Sequence, residues 1–150
     1  MNHIQGCAPV LEHGFYSEGI TLGEKTFTTG GATGSGENVT VICCQGRIVY
    51  GPDSSLLSEK VSRLFPHPRQ IVLDLSLVEM IDGTGLGELV AIWMHAKANN
   101  RIVKLAAPRR RIRKMLELTH LNSVFQVYPT LGDALDSFTL EPFKDRAVAR

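Results

Sequence analysis

The chain has 150 residues, 43% apolar and 21% charged, with a formal net charge of +1. That length suits one ordinary domain able to bury a core without metal or disulfides, and a charge so near zero selects no class of partner. No run approaches the roughly 20 apolar residues needed to cross a bilayer, and "MNHIQGCAPVLEHG" lacks the basic-then-apolar order of a secretory signal, so a cytoplasmic protein is expected.

Residues 1–37 read as an N-terminal extension. A strand is expected near Gly19–Thr29, as an antiparallel or edge addition, followed by "GGATGSGEN", whose glycines and polar residues predict a flexible loop. "VTVICC" (Val39–Cys44) is short and rich in β-branched residues and predicts a buried strand, with turns at Gly46 and at "YGPDSS". Pro52, Asp53 and Ser54 are helix-start residues, and Leu57, Val61 and Leu64 recur at helical spacing until "FPHP" ends the helix. "QIVLDLSL" reads as a central strand covered on both faces. After Thr84, Leu86, Leu89, Val90 and Trp93 form one stripe of a helix that stops at Asn99–Asn100. "RIVKLAA" predicts a strand, "PRRRIRKMLELT" a helix opened by Pro108 with Ile112, Met115 and Leu116 inward, and "FQVY" a short last strand. "TLGDALDSF" predicts a closing helix capped by Thr130, and the tail at 139–150 has little periodicity and is expected to be disordered. Strands alternating with helices imply right-handed crossovers, hence an α/β fold with a mixed, mostly parallel sheet of four to five strands and about four helices.

The junction "MIDGTGLGELV" carries the chemistry. A strand-to-helix turn favours anions, but the dinucleotide fingerprint needs glycine where Glu88 stands, an acid expected in the helix's first turn, and no Walker A sequence occurs. The bland reading makes Thr84 a helix cap, with Gly83 and Gly85 easing the turn.

The order and spacing from Val39 to Phe138 resemble a STAS domain of the anti-sigma factor antagonist family, which would make residues 38–138 that domain. In that family the strand ends in Asp-Ser-Ser-Gly followed by Leu-Gly, and the second serine is phosphorylated by an anti-sigma factor that is also a serine/threonine kinase. The resemblance therefore implies an anti-sigma factor antagonist that binds this kinase, frees a sigma factor, and is released on phosphorylation. Asp82, Gly85, Leu86 and Gly87 match in place, Gly83 replaces the first serine, and Thr84 takes the acceptor position. The Gly46-Arg47-Ile48 turn also matches, although the aspartate often found next is Val49 here. The implied partner surface comprises Arg47, Tyr50, Asp53, Asp82, Gly83, Gly85, Leu86 and Glu88. A phosphatase and a homodimer are further partners that the resemblance brings into view.

Other features read more plainly. Seven of the sixteen Lys and Arg residues fall in Arg101–Lys114, yet the inward stripe of that segment favours a solvated helix face over nucleic acid. The histidines, His95 among them, fit no metal spacing. Cys43 and Cys44 should point to opposite faces, half core and half surface, and with Cys7 leave an odd thiol, which suits a reducing compartment. Asp74 is expected at a strand end, and together with Glu79 and Asp82 it makes no recognisable acid pair. No enzymatic activity, cofactor or metal is expected. The competing reading is a constitutive STAS accessory subunit of a membrane transporter or lipid-transport ATPase, and a third is small-molecule sensing by the fold.

Overall fold

The computed structural model describes residues 20–29, 37–52, 54–64 and 70–140. The expectations for the loop after Thr29, for Asp53, for "FPHP" and for the tail lie outside those residues. In chain order the elements are β1 (Ile20–Thr29), β2 (Glu37–Ile48), α1 (Leu56–Leu64), β3 (Gln70–Ile81), α2 (Gly83–Ala98), β4 (Ile102–Ala106), α3 (Arg110–Leu118), β5 (Val127–Tyr128) and α4 (Leu131–Leu140), with a 3₁₀ turn at Leu121–Ser123 before β5. The fold is a mixed α/β one, its described strands forming a single five-stranded sheet in the order β1-β2-β3-β4-β5. β1 pairs antiparallel with β2 and every later pair is parallel, so the added first strand is the antiparallel edge the sequence predicts.

Because the parallel strands advance in one direction, crossovers of one hand place their helices on one face. Leu57 and Val61 of α1, Leu89, Ile92 and Ala96 of α2, and Ile112 and Leu116 of α3 share one core with Ile42, Ile71, Leu73 and Leu105. The opposite face, carrying Val39, Val41, Val72 and Ala106, is covered by Leu131, Ala134, Leu135 and Phe138 of α4. Thr130 Oγ1 accepts the Asp133 N–H at 3.0 Å, the expected cap.

Several local expectations shift. Gly46 does not end β2. With φ at 109° it lies within the strand, beside two register shifts against β3 between Cys43 and Arg47, a bulged region that glycine accommodates without a Cβ clash. β3 likewise runs on to Ile81. The buried residues of α2 are Gly85, Leu89, Ile92 and Ala96, with Leu86 and Trp93 only partly buried, so the stripe is rotated from the predicted one. The helix ends as expected at Asn99–Asn100: Asn100 is left-handed (φ 57°), Arg101 N–H donates to the Ala96 carbonyl at 2.7 Å and Asn100 N–H to that of Lys97 at 3.3 Å. α3 begins at Arg110, past Pro108. Cys43 and Cys44 lie on opposite faces but both are buried, because α4 covers the face predicted to be open. Asp74 is buried inside β3, not at its end, and accepts the Ser76 N–H at 2.9 Å.

Candidate functional site

β2 and β3 finish together, with Ile48 and Ile81 as register partners, and both segments then leave the sheet side by side. Asp82 follows at once in extended conformation (φ −107°, ψ −171°) and caps α2. Its Oδ1 accepts the Gly85 N–H at 2.9 Å, and its Oδ2 accepts the Tyr50 N–H at 3.0 Å. One carboxylate thus fastens the loop after β2 to the first turn of α2. Donation from Tyr50 first, and from Gly85 second, stabilises the charged form and holds the Asp82 carboxyl below the usual carboxylate range.

The cap is therefore Asp82 and not Thr84. Thr84 is the second helical residue, it is exposed, and among the described residues its hydroxyl has no hydrogen-bond partner. The anion-binding capacity of this helix start is already occupied by the protein's own carboxylate, which excludes a pyrophosphate more firmly than Glu88 does. Glu88 in fact lies beyond the first turn. It is half-buried, and its Oε1 accepts the Ser58 N–H of α1 at 3.4 Å.

The three glycines divide into two kinds. A Cβ on Gly85 would overlap the Ile48 carbonyl oxygen and lie 2.8 Å from Ile81 Cγ2. Only glycine lets α2 sit this close to the end of β2. Gly85 is buried and Leu86 packs partly against the core, so packing accounts for their place in the motif. At Gly83 and Gly87, by contrast, a Cβ would meet nothing within 4 Å. These two leave the turn around Thr84 bare.

Arg47 and Tyr50 are exposed beside this turn, Tyr50 at 80%, and Arg47 Nη2 approaches Met80 Sδ at 3.2 Å. Asp53 lies outside the described residues. Met80, one residue before the end of β3, and Leu56, the first residue of α1, are exposed large apolar residues, and the sequence reading omitted both. Ending β3 at Leu77 removed Met80 from the strand whose tip it occupies. Among the described residues no three His, Cys, Asp or Glu side chains are grouped to hold a metal ion, and none of the described helices is long and apolar enough to cross a membrane. Cys44 is buried, and that burial pushes its thiol pKa far up, with the nearby Asp74 adding to the effect.

The chain belongs to the STAS domain family, whose pattern matches residues 34–134. It is 33% identical over 67 residues to a Thermotoga neapolitana protein provisionally named an anti-sigma factor antagonist, a match covering 45% of this chain and 59% of the relative. The chain thus spans less than two thirds of that relative's length. An anti-sigma factor antagonist from Mycobacterium paratuberculosis has a similar structure, with a TM-score of 0.59 at 26% identity over 77% of this chain and 93% of that one. The Bacillus cell fate determinant SpoIIAA in its phosphorylated form shares the fold, with a TM-score of 0.57 at 16% identity over 79% and 99% of the two chains.

Proposed function

We propose that this protein is an anti-sigma factor antagonist without enzymatic activity. It acts in the cytoplasm and docks an anti-sigma factor kinase through the surface around Thr84. Docking frees a sigma factor for transcription, and phosphorylation of Thr84 ends it. The observation that carries this reading is the exposed, unpartnered Thr84 hydroxyl on a turn left bare by Gly83 and Gly87, in a chain whose relatives include proteins named anti-sigma factor antagonists. Arg47, Tyr50 and Asp53 would supply flanking contacts, with Met80 and Leu56 adding apolar area. Gly85, Leu86 and Glu88 would act by holding the turn in place.

The kinase would move the γ-phosphoryl group of ATP onto Thr84 Oγ1, with ADP leaving and the hydroxyl proton lost to solvent or base. The product carries about −1.5 to −2 charges at neutral pH. Asp82 already draws on the N–H groups of that turn, so the new anion gains little from the helix dipole and stands next to a carboxylate. An interface that had closed over a neutral hydroxyl would have to desolvate a dianion, so the switch falls on binding and not on folding. A phosphatase would restore the hydroxyl.

The test is incubation of the full chain with its cognate kinase and ATP, followed by mass spectrometry and calorimetric titration. A single added phosphate should appear in the parent chain and be absent from Thr84→Ala. Thr84→Glu should bind the kinase at least tenfold more weakly, a loss of about 1.4 kcal/mol, while Thr84→Ala keeps its affinity. Phosphate on another residue, or equal binding by all three chains, would refute the reading and favour a constitutive accessory role.

A further inference from the structure

A second surface is formed by α3. α3 exposes Arg110, Arg111, Arg113 and Lys114, with Arg109 exposed just before it. Among the described residues none of these cations forms an ion pair, although Arg109 Nε donates to the Ser76 carbonyl at 3.1 Å. In a chain of net charge +1 this is a local concentration of positive charge and not a general property.

The arginine face borders a groove. A cavity of about 740 Å³ opens between the second half of α3 and β5, its walls including Arg113, Leu116, Glu117, Phe125, Val127 and Tyr128. β5 is an edge of the sheet. Leu105 N–H donates to the Gln126 carbonyl at 3.0 Å and Ala107 N–H to that of Tyr128 at 2.8 Å. Backbone groups alternate along a strand, so those of Val127 point away from β4, on the side where no described strand pairs with β5.

We propose that this groove receives an extended acidic segment of a protein partner, which adds to β5 as a sixth strand and sets its carboxylates against Arg113 and the arginine face of α3. Strand addition uses the outward N–H and C=O of Val127, and guanidinium forks match carboxylates with paired hydrogen bonds. The alternatives fit less well. Ile112 and Leu116 are turned into the core, and the exposed Leu118 at the end of α3 is a single side chain and not an apolar stripe to lay into a bilayer. No aromatic residue interleaves with the arginines to stack a base. Glu117 on the groove wall opposes a ligand charged at every step, such as a nucleic acid or a lipid surface, and tolerates a peptide whose acids alternate with apolar residues.

The experiment uses the full chain and a fluorescein-labelled ten-residue peptide of alternating Glu and Val, read by anisotropy and by amide shifts in ¹⁵N spectra. Vesicles containing phosphatidylglycerol and a single-stranded RNA oligomer serve as competing probes. Expected are saturable peptide binding that weakens with added salt, shifts centred on Val127, and a loss of at least tenfold in both Arg113→Glu and Val127→Pro. The Arg113→Glu change is on an exposed side chain, so its fold should persist by circular dichroism. No peptide binding at millimolar concentration, binding indifferent to both substitutions, or retention of vesicles or RNA in preference to the peptide would overturn the proposal.

Discussion

Asp82, Gly83, Thr84 and Gly85 are four consecutive letters with four separate tasks, and only part of this division could be read before the fold was known. That the Asp-Gly-Thr-Gly junction joins a strand to a helix is legible, because apolar periodicity changes on either side of it. Which residue caps the helix is not, since aspartate and threonine are both good caps and the choice depends on which one holds the extended conformation. The roles of the glycines are equally hidden, because close approach is a property of another strand's backbone. Gly85→Ala should cost roughly 1–3 kcal/mol, at the upper end because its obstacle is a main-chain carbonyl, and should lower the urea midpoint with an unchanged m-value. Gly83→Ala and Gly87→Ala should each raise stability by about 0.5–1 kcal/mol, since helical glycine is costly and the added methyl meets nothing. Higher melting temperatures combined with weaker kinase binding would mark both as retained for contact. The Asp82 carboxyl is lowered in the folded state, so its contribution is full above the unfolded value near about pH 4 and is lost as pH falls through the folded one. Asp82→Ala should therefore flatten the acid limb of the stability curve below that pH while lowering stability at neutral pH, as measured by denaturation across a pH series.

At the level of elements, the helices and strands fall where the hydrophobic periods put them, and the errors come from faces. The largest apolar residues of α2 predict its stripe, whereas Gly85 and Ala96 are buried because small residues let the helix lie close to the sheet. "RIVKLAA" shows the same difficulty. Its one charged residue within β4, Lys104, lies on the face that α4 covers and is buried at 1% exposure. Its Nζ donates to Ser137 Oγ at 2.7 Å and lies 4.1 Å from the centroid of the Phe138 ring. A cation in such a setting is held by its acceptors and by the ring. Ser137→Ala should cost about 1–3 kcal/mol by withdrawing an acceptor from a buried charge. Lys104→Met, which removes the charge together with its need for partners, should cost less. Chemical denaturation of the two variants decides the order.

For the molecule as a whole, strand order explains why one face of the sheet rests on the last helix. Strands that advance one way leave α1, α2 and α3 on a single face, so the other face depends on α4. A chain truncated at Pro129 would uncover Val39, Val41, Val72 and Ala106, and the larger of these are each worth roughly 1.5–3 kcal/mol when buried. Against a total stability of about 5–15 kcal/mol, that loss should abolish the cooperative thermal transition and produce binding of an apolar dye. The two register shifts between β2 and β3 have a different reach. Side chains on a strand switch sides with every step, so deleting a single residue such as Leu77 would move the buried Ile81 into the exposed place of Met80. Deleting two would restore the alternation but retract the strand tip by about 6–7 Å, too far for the Asp82 carboxylate to meet Tyr50. The reach of β3 beyond its last pairing with β4, at Asp74, is therefore counted in whole residues, and lengthening or shortening it by one would require the loop after β2 to be rebuilt.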